Sequence, residues 1–505
     1  MSPVFPMNSE VSARSQTTAP SRWDLGAEAL VHPTGLPAFE ARLRDDLQQL
    51  CLPRPAWSEN GSDPELLDIL IIGAGQFGIG LGAALRLNGV TNFRILDQAP
   101  KGREGPWVTF ARMPTLRSPK HHPGICFGVP SLTFQAWYRA AHGSYAWDAL
   151  YKIPNRIWQD YLDWVRDTLA LPVRNDARAV DLRQVGRHVE TTLADGEVIR
   201  ARRVVVANGR GGAGGWARIP GVADDLWPDL AAHTTEPVDF AALRGKRVAV
   251  IGTGSSAWDN AATALEQGAA GVDMFARRKA VPQLNKGRAT GGIHFTEGWA
   301  DLPDADRWRL AWYLDSMGAP PPHETVLRTA RLPGFTAHFD CGAITATRHG
   351  DRLRVETASG QGAEYDFLIL GSGFRNDLSQ EPLFASIQAD ITLWADRYDP
   401  PEAYRKPALG LQPYVAADFS LIGKNGAALD RIHLCNAATY VSAGSMTADV
   451  PTLDIAPARL VSGLVRALFV EDFDQSFDQL LAWEEEHELK PTPFYAPEHV
   501  NTTAR

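Results

Sequence analysis

LLDILIIGAGQFGIGLGAALRLNGVTNFRILD, residues 66–97, is the stretch that decides the fold. Its apolar run Leu66–Ile72 predicts a strand, the residues through Leu87 follow a helical pattern, and a second apolar run closes the stretch. Strand, glycine-rich turn, helix and strand in this order are typical of a dinucleotide-binding unit.

The turn itself contains the three glycines that such a unit needs. Gly73 permits the tight turn, Gly75 lets a pyrophosphate approach the backbone, and Gly78 allows the helix to pack closely on the strand. Asp97, 24 residues after Gly73, can accept a hydrogen bond from a ribose 2′-hydroxyl. A glycine-rich turn without a ligand is the alternative interpretation.

A second copy of the pattern, GKRVAVIGTGSSA, occupies residues 245–257. Gly252 and Gly254 take the first two glycine positions, and Ala257 fits the third, where glycine or alanine is accepted. The chain is therefore predicted to be an α/β protein with two Rossmann-like domains.

The two copies differ at the end of their second strand. Ala276 stands where the first copy has Asp97, and Arg277 and Arg278 follow directly. Guanidinium groups pair well with a 2′-phosphate, so the first site is predicted to hold FAD and the second NADPH. The alternative is that these bases only form a solvated strand end.

Composition excludes several classes of function. The 505 residues carry a net charge of −9 with both signs well mixed, which leaves no broad basic face for nucleic acid. No apolar run approaches the roughly 18 residues that span a bilayer. The amino terminus lacks the order of a secretory signal, so a cytoplasmic protein without membrane contact is expected, and a homo-oligomer is allowed.

Cysteine and histidine spacing indicates no metal site. The histidines His294, His323 and His338 lack the spacing of metal ligands. The cysteines form neither a C-x-x-C nor a zinc pattern, which argues against a disulfide reductase with paired redox cysteines. They are Cys51, Cys126, Cys341 and Cys435.

The order of segments predicts that the first domain is discontinuous, with the second inserted into it. The predicted segments are an N-terminal tail and helix (1–65), the opening segment of the FAD-binding domain (66–215), an NADPH-binding domain with a Trp-rich insertion (216–340), the closing segment of the FAD-binding domain (341–470) and a C-terminal tail (471–505).

A long loop, KGREGPWVTFARMPTLRSPKHHPG at residues 101–124, follows the first unit's second strand. Loops of this length inside a compact domain are usually functional, although a solvated surface excursion is the alternative.

The order of these motifs resembles the class B flavoprotein monooxygenases, the group of flavin-containing, N-hydroxylating and Baeyer–Villiger enzymes. The resemblance rests on the first glycine turn, the G-P-W loop, a strand ending in ANG, GKRVAVIGTGSSA and a strand ending in GSGF, and it covers roughly residues 68–470. It implies FAD contacts and NADPH contacts at the positions that match the family, namely Gly73, Gly75, Gly78, Asp97 and Trp107 for FAD and Gly252, Gly254, Ala257, Arg277 and Arg278 for NADPH.

The resemblance also implies a reaction. In that family NADPH reduces FAD, the reduced flavin takes up O₂ at C4a, and one oxygen atom passes to a small organic substrate while the other leaves as water. Arg117 and Lys120 are the candidate catalytic residues, as fixed cations that would stabilise negative charge near the isoalloxazine. Oxygenation at nitrogen or another heteroatom is the expected outcome.

Two departures from the family pattern bear on the subclass. Members that oxygenate soft nucleophiles or ketones often carry F-x-G-x-x-x-H-x-x-x followed by an aromatic before the second turn. Here only Trp227 and His233 match, at its leading aromatic and its histidine. Arg117 and Ser118 fall near the asparagine that flavin-containing members place by the flavin.

Three other functions stay open at this point. They are Baeyer–Villiger oxygenation of a ketone, an NADPH oxidase or flavin reductase that releases peroxide, and a non-catalytic FAD-dependent sensor. The intact glycines and the arginine pair of the second site argue against the sensor.

Overall fold

A computed structural model describes residues 35–58, 63–447, 449–483 and 487–496. Of the predicted N-terminal tail and helix (1–65), residues 1–34 and 59–62 lie outside the described residues. The described strands are β1 (Leu66–Ile72), β2 (Phe93–Leu96), β3 (Val173–Arg174), β4 (Ala179–Val185), β5 (His188–Leu193), β6 (Val198–Val206), β7 (Ala231–His233), β8 (Arg247–Ile251), β9 (Gly271–Phe275), β10 (Phe335–His338), β11 (Ile344–His349), β12 (Arg352–Thr357), β13 (Gly362–Tyr365), β14 (Phe367–Leu370) and β15 (Ile432–Leu434).

Helices connect these strands and cover the sheets. They are α1 (Leu36–Gln49), α2 (Gln76–Leu87), α3 (Phe134–His142), α4 (Ser144–Ala149), α5 (Asn155–Thr168), α6 (Ser255–Glu266), α7 (Ile293–Gly298), α8 (Asp304–Met317), α9 (His323–Ala330), α10 (Trp394–Arg397), α11 (Pro407–Gly410), α12 (Tyr440–Ala443), α13 (Ala456–Glu471) and α14 (Phe473–Leu481). Among the described residues no helix is both long and apolar enough to cross a membrane.

The first unit is built on a seven-stranded sheet in the order β3-β2-β1-β6-β5-β4, with β15 also pairing with β6. The strands β1, β2, β6 and β15 run parallel, whereas β4 and β5 join by antiparallel pairing. Ile69, Leu70 and Ile71 of β1 are fully buried, which fits a continuous apolar run covered on both faces. Because β15 returns to this sheet late in the chain, the first unit is discontinuous, as predicted.

The second unit is built on a five-stranded parallel sheet in the order β10-β9-β8-β14-β7. The strand β14 pairs with both β8 and β7, so it lies inside this sheet. The predicted return to the first unit at residue 341 is therefore wrong. The chain crosses back only after Leu370, because β14 buries its apolar residues between two strands of the second unit.

The antiparallel strands β11, β12 and β13 form a separate three-stranded sheet that packs on the second unit. Ile344, Leu353 and Tyr365 share a buried cluster with Ala249 of β8 and Leu368 of β14. These strands therefore also belong with the second unit and not with the first.

The Trp-rich insertion reaches from the second unit to the late segments of the chain. Trp299 and Trp308 share a buried cluster with Trp394, Leu409 and Val441. The indole of Trp299 donates to the Val441 carbonyl at 3.1 Å. The insertion thus holds α8 against residues that follow the return to the first unit.

Candidate functional site

The first glycine turn joins β1 to α2 and leaves no room for side chains at Gly73 and Gly78. Gly73 has φ +106°, and a Cβ at this position would lie 2.5 Å from the carbonyl oxygen of Ala207 at the end of β6. A Cβ on Gly78 would lie 1.8 Å from the carbonyl oxygen of Gly73. Neither position can accept a side chain unless the backbone moves.

The amino terminus of α2 is open in the same turn. Gly75 is its N-cap and offers no side chain to the first N–H groups of the helix. A Cβ at this position would meet nothing closer than Gly105 Cα at 3.9 Å. Free N–H groups at the positive end of a 12-residue helix form a cradle that can hold a diphosphate.

Asp97 follows β2 and is 9% exposed. Its Oδ2 accepts the N–H of Ala74 at 2.7 Å, and its Oδ1 accepts the N–H of Ala99 at 2.8 Å. Burial raises the pKa of this carboxyl group, against the two backbone hydrogen bonds that lower it. Asp97 therefore ties the end of β2 to the glycine turn, and each oxygen keeps a lone pair for a ligand hydroxyl.

The long loop after β2 is packed into the first unit and is not a solvated excursion. Glu104, 3% exposed, pairs with Arg166 of α5 at 2.7 Å. Trp107 is buried edge-to-face against Trp158 at 6.5 Å between ring centroids. The indole N–H of Trp107 has no hydrogen-bond partner among the described residues. A buried, unpaired donor in the loop that carries Gly105 to the first turn fits a site for a polar ligand.

The second glycine turn joins β8 to α6 and repeats the first. Gly252 has φ +118°, and a Cβ there would lie 2.3 Å from the carbonyl oxygen of Gly371 after β14. A Cβ on Gly254, the N-cap of α6, would meet nothing within 4 Å. Ala257 is buried, and it is a Cβ on Gly371 that would approach it, at 2.7 Å. The second cradle is as open as the first.

Arg277 and Arg278 follow β9 and are exposed, while Ala276 before them is buried. Within the stretches of the chain that the structure describes, neither guanidinium group takes part in an ion pair. Two unpaired cations at the end of the strand beside β8 can bind a phosphate.

The two candidate catalytic residues are engaged elsewhere. Arg117 donates to Asp259 Oδ2 of α6 at 3.0 Å. Lys120 donates to the carbonyl oxygen of Trp147 at 2.7 Å, and its Nζ lies 4.7 Å from the centroid of that ring. Sequence shows that these charges exist in the loop but not which groups they face.

His233 lies where the two chain crossings between the units meet. Its ring is fully buried, stacks on Trp216 at 5.0 Å and meets Phe374 edge-on. Trp216 also stacks on Trp227, with 5.4 Å between the ring centroids. Burial lowers the pKa of His233 to about 4, so the imidazole is neutral at pH 7. Trp227 and His233, the two residues that match the family pattern, thus form one packed group with Trp216 of the first crossing and Phe374 of the second.

Sequence reasoning missed Asp259, a fully buried acid on α6, and Arg328 of α9 beside it. The sequence signal that could have indicated Asp259 is a carboxylate among the small apolar residues that follow the second glycine turn. No three His, Cys, Asp or Glu side chains within the described ranges come together to hold a metal ion.

Comparison with known proteins places this geometry in a family. A family model described as pyridine nucleotide-disulphide oxidoreductase matches residues 70–287, which span both glycine turns. The FAD-dependent urate hydroxylase of Xanthomonas campestris pv. campestris is 37% identical over 458 residues, which make up 89% of this chain and 96% of that protein. The chain belongs to the class B flavoprotein monooxygenases. This monooxygenase is therefore an FAD-dependent oxidoreductase, and the resemblance predicted from the motifs is confirmed.

Solved structures show the same fold. The ornithine hydroxylase of Pseudomonas aeruginosa superposes with a TM-score of 0.63 at 17% identity, covering 80% of this chain and 100% of that one. The ornithine N-hydroxylase of Kutzneria sp. 744 gives a TM-score of 0.62 at 16% identity, covering 80% and 99%. The predicted two-domain α/β fold is confirmed. The residue roles, the cytoplasmic location and the oligomeric state stay predictions.

Proposed function

We propose that this monooxygenase uses NADPH and O₂ to transfer one oxygen atom to a small, nitrogen-rich organic compound, with urate as the first substrate to test. The observation that carries the proposal is the 37% identity to a urate hydroxylase, because it extends over 89% of the chain. A likeness of that length includes both glycine turns, the long loop and the late segments that return to the first unit.

The first cradle is the proposed FAD site. Gly73 and Gly78 keep side chains out of the turn, and Gly75 leaves the N–H groups of α2 free for the diphosphate. Asp97 holds the turn and would accept the ribose hydroxyl, while the unpaired indole N–H of Trp107 would donate to the bound group.

The second cradle is the proposed NADPH site. Gly252, Gly254 and Ala257 shape the turn before α6, and Arg277 and Arg278 are the cations that would pair with the 2′-phosphate. The choice of NADPH over NADH follows from these arginines and from the lack of an acid at position 276.

Bound FAD and NADPH would supply the redox chemistry, namely hydride transfer to the flavin and activation of O₂, with one oxygen atom entering the substrate and the other leaving as water. The residues of the chain would bind and orient the two nucleotides and exclude water from the space between them. Arg117 and Lys120 have partners in Asp259 and Trp147, and no catalytic step is assigned to them in this proposal.

Oxygenation at a nitrogen or another heteroatom, as predicted from the sequence, is the second product class, since a nitrogen-rich compound offers such atoms as well as carbon. The solved N-hydroxylases share the fold at 16–17% identity and therefore do not decide between the two. Product analysis is needed to distinguish them.

The test is a coupled assay of the purified yellow protein with NADPH in air. Urate, ornithine and a cyclic ketone serve as probes, while NADPH oxidation, O₂ uptake and hydrogen peroxide are followed and products are identified by mass spectrometry. We expect urate to accelerate NADPH oxidation and to gain one oxygen atom for each NADPH consumed. Gly252→Val is the control, because its side chain would collide with the Gly371 carbonyl and close the second cradle.

Two results would contradict the proposal. Release of peroxide equal to the NADPH consumed with every probe would identify an oxidase. Absence of NADPH oxidation under all conditions would favour a protein that binds FAD without catalysis.

A further inference from the structure

Asp259 is a buried acid that the proposed cofactor sites do not use. It lies on α6, five residues after Gly254, the N-cap of that helix, and its side chain is 1% exposed. Burial raises the pKa of this carboxyl group, and the neighbouring Arg117 opposes the rise. A carboxylate in such a place is costly unless it is paired with cations.

Its two cations come from different regions of the chain. Arg117 of the long loop in the first unit lies 3.0 Å from Asp259 Oδ2, and Arg328 of α9 in the second unit lies 3.6 Å from Oδ1. The side chain of Arg117 is 39% exposed, so only its partner is taken fully out of water.

Arg328 extends the same network across the boundary between the units. It pairs with Glu266 at the end of α6 at 2.6 Å, and its Nη1 donates to the carbonyl oxygen of Arg112 at 3.1 Å. Because Arg112 belongs to the long loop, α6, α9 and that loop are joined by one set of charge-assisted contacts.

A second pair of contacts reaches α9 from the first unit. Tyr151 donates to Glu324 Oε1 at 2.7 Å, and Lys152 lies 3.3 Å from Glu324 Oε2. Glu324 is 45% exposed, so this pair is screened by water and contributes less than the buried one. The geometry nevertheless shows α9 held at both of its ends.

We propose that Asp259 is a positioning residue for reduction of the flavin: with Arg117 and Arg328 it fixes α6, and thus the second glycine turn, against the first unit. This inference rests on the proposed use of NADPH. Hydride transfer requires the reacting atoms to be about 3–3.5 Å apart, so a small displacement of α6 slows it strongly. Arg117 then acts through Asp259 and is not a cation at the flavin.

The experiment compares Arg117→Gln, Asp259→Asn and the double variant as purified holoenzymes. Arg156→Gln is the matched control, because it removes an exposed pair with Asp160 within one helix. Hydrogen–deuterium exchange without added nucleotide is measured over residues 109–120 and 255–262. The rate of anaerobic flavin reduction at saturating NADPH and the Kd of NADP⁺ are measured in parallel.

We expect each single variant to raise exchange in both segments and to slow reduction by about tenfold, with little change in the Kd of NADP⁺. The double variant should be no slower than Asp259→Asn alone, because Asp259→Asn already removes the ion pair with Arg117 as well as that with Arg328. Arg117→Lys, which keeps the charge, should recover most of the rate, and Arg156→Gln should match wild type.

Additive losses in the double variant, or unchanged exchange in the single variants, would overturn the inference. So would slow reduction in Arg117→Gln together with a normal rate in Asp259→Asn, since Arg117 would then act directly. If NADPH does not reduce the wild-type flavin, the proposed function fails. Hydrogen–deuterium exchange tests the contact between the units separately, because an unchanged exchange rate in the variants would show that Asp259 does not hold α6 against the first unit.

Discussion

The two glycine turns have nearly the same backbone and different surroundings. Gly73 and Gly252 have φ values of +106° and +118°, and each lies against a carbonyl at the end of a neighbouring strand. The residues after the second strand of each unit differ, however: Asp97 accepts a hydrogen bond from the first turn at Ala74, whereas the second unit has buried Ala276 followed by exposed Arg277 and Arg278. The glycines determine the shape of the turn, and we propose that the residues at the strand end determine which nucleotide it binds.

The largest effect is expected when the residues at the third positions of the two turns are exchanged. Gly78→Ala places a methyl group 1.8 Å from the Gly73 carbonyl oxygen, so we expect loss of most bound FAD. Ala257→Gly is the matched variant, and a helical glycine costs only about 1 kcal/mol. Flavin absorbance per protein and thermal unfolding measure both effects. Normal FAD content in Gly78→Ala would show that the turn adapts.

Acid pH tests the packing of His233 against Trp216 and Phe374, the residues of the two chain crossings between the units. The pKa of His233 falls from 6.5 to about 4 on folding, so the unfolded chain binds more protons between these values and stability decreases as the pH is lowered. Stability should drop by about 2 kcal/mol from this group between pH 7.5 and 5. Urea unfolding of wild type and His233→Gln measures it, with the exposed His349→Gln as control. Parallel pH profiles in wild type and His233→Gln would contradict the assignment.

The strand-end acid of the first turn can be neutralised with little change in shape. Asp97→Asn leaves one acceptor for the two N–H groups of Ala74 and Ala99, so one buried donor loses its partner at a cost of about 1–3 kcal/mol. FAD affinity should weaken in parallel. Asp195→Asn is the control, since Asp195 accepts a similar backbone bond from Glu197 in an exposed turn. Equal losses in both variants would remove the special role of Asp97.

Removing the strand-end cation of the second unit should have a smaller effect. Arg277→Ala should raise the Kd of NADPH by about tenfold and leave that of NADH unchanged, because only NADPH carries the 2′-phosphate. Titration of the oxidised protein with each nucleotide measures this. Arg354→Ala, which removes an exposed cation of the three-stranded sheet, should change neither value. A similar loss for both nucleotides would show that Arg277 does not read the phosphate.

Local patterns allowed good prediction of the elements around the turns. The strand Leu66–Ile72 has the predicted bounds, and the helix predicted within residues 1–65 is α1. The break at Gly143 between α3 and α4 was not predicted from the sequence. Short breaks of this kind depend on a few local residues and are easily missed.

Contacts between distant parts of the chain were harder to predict from the sequence. The apolar run of β14 shows that a strand exists but not which sheet receives it, which is why the boundary at residue 341 was wrong. The charge of Arg117 is visible in the sequence, whereas its pairing with Asp259, 142 residues later, requires the folded chain. Partners that distant are set by packing and not by local pattern.

Anaerobic mixing of the wild-type holoenzyme with NADPH and, separately, with NADH tests whether the two turns hold different nucleotides. If the two turns hold different nucleotides as their strand ends indicate, NADPH will bleach the flavin absorbance at least about tenfold faster than NADH at equal low concentration. Equal rates with both nucleotides, or no bleaching with either, would contradict the account.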